Sequence, residues 1–246
     1  MKRCTFWFNN LSLYKKILTI FLLALLAVCI TFLISIRILT SRYNEELYRT
    51  NANSLNHVTT YLESEIQLIQ SISYSMIGDP VLQDNLVFLA EKPYSNRRAQ
   101  ARQEIYQQLY SYVYRSKYIK SINIILTDGT NICMGSSDEI LKFDLRELDK
   151  TTSDLKGQAI WAPGIEPGND TVCSRQILKL KYLSLKKLAG LYITVNMERM
   201  IEDGLKSSGS LVENSNFILM SGDKRIYPST AFHDAYCAEI IAGSKQ

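Results

Sequence analysis

The sequence predicts an α+β protein in which an N-terminal transmembrane helix continues into a long helix packed on an antiparallel sheet. Three observations carry this. An uncharged apolar run fills residues 17–36, and a stripe of apolar residues at helical spacing fills 55–76. Beyond residue 118 the period changes from helical to alternating, with turn signals between the runs. The chain has 246 residues, room for one large domain or two small ones plus an anchor. Hydrophobic residues at 46% and charged residues at 21% exclude wholesale disorder and a many-span membrane protein. A net charge of +4, without a basic block, gives no reason to expect nucleic acid as a partner. The two histidines, His57 and His233, leave little material for a metal centre or a Ser-His-Asp arrangement, and no cofactor is expected.

The first element is the apolar run ILTIFLLALLAVCITFLISI at 17–36, which as a helix measures ~30 Å, the thickness of a bilayer's hydrocarbon core. A cleaved signal peptide would have an apolar stretch of ~7–15 residues followed by a small-x-small site. Here the run is longer and Arg37, Ile38 and Leu39 follow it, so a retained transmembrane helix over 17–38 is expected. Lys2, Arg3, Lys15 and Lys16 precede it, while Arg37, Arg42 and Arg49 after it are diluted by Glu45 and Glu46. That bias places the stub 1–16 in the cytoplasm and residues 39–246 outside the cell, with Trp7 at the inner interface.

Past the membrane, Leu55, Val58, Leu62, Ile66, Ile69, Ile72 and Met76 step by threes and fours, the buried stripe of an amphipathic helix. The same spacing would suit a coiled-coil seam between two protomers. Gly78 is expected as its C-cap, with Pro80 opening the next helix over 81–90. Pro93 breaks that helix, and another is expected over 95–115, with Ile105, Leu109, Tyr112 and Val113 on its apolar side. Residues 118–126 and 131–134 read as strands joined by the turn Thr127-Asp128-Gly129-Thr130. A charged helix follows within 144–156, then strands at 158–161, 172–180 and 188–196, a helix at 197–206, and a second strand–turn–strand at 216–227. Taken as domains, 39–196 forms a first module and 197–246 a connecting helix with an incomplete second one.

No Gly-rich phosphate loop, G-x-S-x-G, H-E-x-x-H or paired-carboxylate motif occurs, and no catalytic activity is expected of this chain. The five cysteines show no C-x-x-C spacing, and three of them (Cys133, Cys173 and Cys237) fall in the exported part. Buried free thiols are the plain expectation, with a Cys133–Cys173 bridge conceivable only if their strands neighbour each other.

The opening NLSLYKKILTIFLLALLAVCITFLIS resembles the start of bacterial sensor histidine kinases whose exported part is a double Cache domain, a pair of PAS-like modules. The order that follows is similar too: YIKSINIILTDG, AIWAP, VCSRQILKL, LAGLYITVN, MERMIEDGL and FILMSGDKRIYPS. The resemblance covers nearly the whole chain. It implies a PAS-like antiparallel sheet in the first, membrane-distal module, an incomplete second module, a small-molecule ligand whose identity it does not fix, and a homodimer. Such proteins continue into a second membrane helix, a HAMP segment and a kinase domain. This chain stops at Gln246 in mid-module, as a truncated product or fragment would. Chemoreceptors and cyclases share the same sensor type, and a membrane-anchored structural protein without a ligand is the reading from another class.

In that family the first module binds small molecules between its sheet and the helices and loops over one face. The residues expected to line such a pocket are Tyr110 and Tyr114, with Tyr106, on the third helix, then Tyr118, Trp161, Arg175 and Tyr192. Arg175 is the sharpest of these, because an Arg in mid-strand is costly to bury unless it meets a carboxylate or phosphate. A solvated, outward-facing Arg is the plain alternative. For the four-spaced tyrosines, the alternative is core packing with hydroxyls at the rim.

Overall fold

The structure is a computed structural model and describes residues 12–91, 96–136, 140–141, 143–153, 155, 157–164, 170–181, 184–208, 219–221 and 224–227. Lys2, Arg3 and Trp7 of the stub, Cys4, Cys237, Pro93, the turn at 209–218 and the tail beyond Tyr227 lie outside those residues. The chain divides into two units, Met1–Ser54 and Leu55–Gln246.

Helix α1 is Leu13–Gly78. In the first unit its apolar side chains, from Leu18 to Ile36, are exposed among protein atoms, and this helix is long and apolar enough to cross a membrane. Thr31 Oγ1 donates to the Val28 carbonyl at 2.9 Å, so this hydroxyl carries its own partner, as an apolar surrounding requires.

In the second unit the expected stripe is the buried one: Val58, Leu62, Ile69, Ile72 and Met76 are in the core, Ile66 is half-buried and Leu55 is exposed. Gly78 does not adopt the left-handed conformation expected of a C-cap, since the positive-φ glycines are Gly129, Gly135 and Gly157. The helix ends because Asp79 precedes a proline, which disfavours helical backbone there. Asp79 then caps helix α2 (Pro80–Glu91), its Oδ1 accepting from the amides of Val81 at 2.9 Å and Leu82 at 3.1 Å. Helix α3 is Arg98–Val113 and buries Ala101, Ile105, Leu109 and Tyr112.

Five antiparallel strands form one sheet: β1 Ile119–Leu126, β2 Asn131–Gly135, β3 Ile160–Pro163, β4 Asp170–Lys181 and β5 Ser184–Asn196. Their order is β2-β1-β5-β4-β3. The β1–β2 turn is the one anticipated. Gly129 takes φ +83 and the Thr130 amide donates to Asp128 Oδ1 at 2.8 Å. Pro163 sits at the end of edge strand β3, where its missing N–H costs no ladder bond.

Helix α4 (Leu145–Ser153) is capped by Asp144, and α5 (Met197–Ser208) by Asn196. A two-stranded sheet, β6 Leu219–Ser221 with β7 Lys224–Tyr227, follows. Leu219 and Tyr227 pack against the main core.

That main core lies on one sheet face, where Ile122, Ile124, Cys173, Ile177, Leu191 and Ile193 meet the stripes of α1, α2 and α3. Cys133 and Cys173 are free thiols on β2 and β4, with β1 and β5 between them. Three strand spacings of ~4.8 Å separate such positions, so the conceivable bridge is excluded by topology.

Candidate functional site

The two faces of the sheet differ in chemistry. The face opposite the main core carries a smaller cluster formed by Ile140, Phe143, Leu148, Ala162, Val172 and Tyr192. Beside that cluster runs a belt of buried polar side chains: Ser121, Asn123, Ser174, Gln176 and Thr194. Pairing register aligns them in rows, with Val172, Thr194 and Ser121 side by side, then Ser174, Tyr192 and Asn123. Asn123 Nδ2 donates to Ser121 Oγ at 3.2 Å, whereas Thr194 Oγ1 is buried without a partner among the described residues. A core-facing sheet surface is normally apolar, and buried polar groups need hydrogen bonds. This belt is therefore a surface built to meet polar groups.

The structure does not bring the six expected residues together. Tyr106, Tyr110 and Tyr114 are 38%, 57% and 72% exposed, on the outer side of α3 and at its C-cap. Tyr110 and Tyr114 contact each other, with ring centroids 4.7 Å apart. The buried stripe of α3 is Ile105, Leu109 and Tyr112, one position off the tyrosine ladder. Tyr118 and Trp161 are core residues on the main-core side, and Tyr192 is buried under the polar face. Burial pushes the Tyr192 hydroxyl up to about 12.

Arg175 alone among them lines an open cleft of about 500 Å³, together with Gln70 and Tyr74 of α1, Gln83 of α2, and Gln158. It lies on β4 opposite Leu191, on the main-core side at the sheet's β3–β4 end. Its Nη1 donates to the Gly157 carbonyl at 3.0 Å, and its guanidinium carbon stands 5.7 Å from the centroid of the Tyr74 ring. Gly157 takes φ +88, a conformation other residues adopt only under strain. Arg175 Nε is buried and unpartnered among the described residues. Burial lowers the guanidinium's pKa, and the groups that raise it are Cys173 and Tyr74; no carboxylate is among them. Sequence reasoning found Arg175 but not the glutamines around it. They come from separate elements, and no spacing links them.

A second polar cluster joins α1, the turn that precedes β1, and α5. The Tyr118 hydroxyl bonds that of Tyr61 and donates to Asp203 Oδ2 at 3.0 Å, while Lys117 Nζ lies 2.6 Å from the same oxygen. Burial first, and then its hydrogen bonds to Tyr61 and Asp203, push the Tyr118 hydroxyl above its usual range. The Lys117 ammonium and the Tyr118 hydroxyl hold the Asp203 carboxyl below its usual 3.8. A depressed carboxyl contributes stability above its unfolded pKa, and that contribution is lost as pH falls through the folded value. The melting-temperature advantage of the native chain over Asp203→Asn should therefore hold near neutral pH and shrink below about pH 4. A gap that is constant with pH would show that the carboxyl's charge is not what matters.

Among the described residues no three His, Cys, Asp or Glu side chains are grouped to hold a metal ion. Burial pushes the Cys173 thiol up to about 12, which makes it an inert core group and not a nucleophile.

These features define a class: an α+β protein with a two-faced antiparallel sheet, a polar cleft, and a helix long and apolar enough to cross a membrane. No protein-family model matches the chain. In sequence it is similar to the sensor histidine kinase YesM of Bacillus subtilis (strain 168), 29% identical over 215 residues. The match takes in 86% of this chain and 37% of that protein, so the chain spans little over a third of its relative's length. The resemblance to sensor histidine kinases expected from the opening residues and the element order is supported in part by this similarity, which does not bear on the Cache modules.

Proposed function

We propose that the chain is the extracytoplasmic, stimulus-sensing input region of a two-component sensor histidine kinase. Its sheet is the PAS-like core of a Cache module, residues 17–38 are its membrane helix, and the phosphotransfer chemistry belongs to a partner domain absent from these 246 residues. The observation that carries this is the similarity to a sensor histidine kinase along 86% of the chain, beside a helix in this chain long and apolar enough to cross a membrane. The polar belt supports it as the surface that receives a small-molecule stimulus: Thr194 Oγ1 is buried there without a partner among the described residues, and a ligand's polar group would supply one. The family's dimer habit extends the proposal to a homodimer in the bilayer.

Topology tests the reading directly. A reporter enzyme active only outside the cytoplasm, fused after Gln246, should be active, and a reporter that works only in the cytoplasm should be silent at the same junction. The reverse pattern would place the α+β unit inside the cell and end the extracytoplasmic reading.

A further inference from the structure

Helix α5 follows β5 without a loop, Asn196 ending the strand and Met197 opening the helix. Its ends are closed by groups of its own. The Asn196 side chain accepts from the Arg199 amide at 3.0 Å, Glu198 stands in the first turn and Lys206 in the last, and Lys206 pairs with Glu202 at 3.6 Å. Moving this helix away from its neighbours would break none of these contacts. What holds it is one buried face, formed by Met197, Met200, Ile201 and Gly204, and one polar contact in its second half, at Asp203.

Tyr118 serves both ends of that attachment. Its carbonyl accepts from the Asn196 amide at 2.9 Å, and its hydroxyl donates to Asp203 Oδ2 at 3.0 Å. Next to Asp203, Gly204 lies over α1: a Cβ there would stand 3.0 Å from Tyr61 Cδ1 and 3.5 Å from Val58 Cγ1. The two helices therefore meet at this point without a side chain of α5 between them. The polar contact can open without stranding a charge. Asp203 and Lys117 keep 24% and 58% of their side-chain surface exposed, so water reaches both, and the Tyr118 hydroxyl retains that of Tyr61 as its partner.

From this arrangement we infer that α5 is a hinged arm, a rigid helix that swings about Asn196 while the sheet stays folded, with Asp203 as the latch that closes it onto Tyr118, Lys117 and α1. Hinges are a few residues at the end of an element that absorb the backbone change, and the β5–α5 junction is such a place. The latch joins segments far apart in sequence, Tyr61 on α1, Lys117 and Tyr118 before β1, and Asp203 on α5, so its opening frees α5 from α1. The open arm is the minor state, because Met200 and Ile201 lose their burial in it. This inference goes beyond the sensory reading and does not depend on it.

The test is thiol labelling of the full chain in detergent micelles. Met200→Cys places a thiol on the buried face of the arm, and the native Cys173, fully buried on β4, reports opening of the sheet in the same molecule. Iodoacetamide labelling, resolved by peptide mass, should proceed at residue 200 at least roughly tenfold faster than at Cys173. Adding Asp203→Ala should speed labelling at residue 200 by roughly another tenfold, the effect of losing a hydrogen bond to a charged group, and leave Cys173 unchanged. Tyr118→Phe should act in the same direction with a smaller effect, because the Lys117–Asp203 ion pair remains. Labelling of residue 200 and Cys173 at one rate would mean that α5 opens only with the whole domain, and so would an equal acceleration of both by Asp203→Ala; either result overturns the arm. No acceleration in Asp203→Ala would overturn the latch. Should Met200→Cys fail to fold, seen as rapid labelling of Cys173, Ile201→Cys on the same face takes its place. None of these outcomes bears on the reporter fusion after Gln246, so the arm and the sensory reading fail separately.

Discussion

Ile69→Asp should abolish the cooperative unfolding transition of the α+β unit in the full chain held in micelles. Ile69 is fully buried, on the stripe of α1 that meets the sheet, in one cluster with Leu62, Ile72 and Met76. An ionised carboxylate placed there would lose its hydration with no cation to receive it, and a change of this kind costs more than ~4 kcal/mol. Total domain stabilities are only ~5–15 kcal/mol, so much or all of the margin goes. Ile69→Ala isolates the packing component and should cost ~2–5 kcal/mol through lost transfer energy and the cavity left behind. Gln67→Ala on the exposed face should move stability by less than ~0.5 kcal/mol. The stripe is buried within one chain, so the melting midpoint of the native protein should owe nothing to this seam at varying protein concentration. An unchanged melt for Ile69→Asp would mean that α1 does not pack on the sheet.

The sequence carried this helix well because its signal is local. Apolar residues three and four apart must share a face, and the buried set matches the stripe except at Leu55, which is exposed at the boundary of its unit, and at Ile66, which is half-buried. Strands were legible for the same reason: alternation and the Asp128-Gly129 turn locate β1 and β2 without knowledge of the remainder. What failed was the step from residue type to place. Tyr106, Tyr110 and Tyr114 form a four-spaced ladder, yet Ile105, Leu109 and Tyr112 had already claimed the apolar side of α3, and the ladder faces outward. Attention to that offset would have set the tyrosines aside.

The remaining site features depend on long-range pairing. Tyr118 is held by Tyr61 and Asp203, separated from it by 57 and 85 residues. Spacing along the chain contains no trace of that. The polar belt shares this property, since Ser121, Thr194 and Ser174 become neighbours only once the register of β1, β5 and β4 is fixed. Even so, a hint was present. The alternate positions 121 and 123, set between isoleucines, were polar in a strand too apolar to be an edge, which marks a sheet with chemistry on its second face.

That second face also sets a steric constraint between Gly190 and Tyr192 on central strand β5. A Cβ added at Gly190 would stand 2.6 to 2.8 Å from the hydroxyl and ring carbons of Tyr192, so the ring lies over the space a side chain would occupy. The ring itself is buried among Ile140, Phe143, Leu148, Ala162 and Val172, and cannot swing aside without displacing them. Tyr192→Ala should therefore cost ~3–5 kcal/mol, the usual loss for an aromatic removed from a core. Gly190→Ala should cost ~1–3 kcal/mol by overpacking, although alanine ordinarily suits a strand better than glycine does. The double variant decides the cause. With the ring gone, the methyl group occupies vacant space and the lower entropy of the unfolded chain favours alanine by ~0.4–1 kcal/mol. In the Tyr192→Ala background Gly190→Ala should thus turn from destabilising to stabilising, a coupling of ~1.5–4 kcal/mol between two residues in contact. Denaturant titration of the four chains measures it. Additive effects would mean that the ring does not rest on Gly190, and the packing of this face would have to be redrawn.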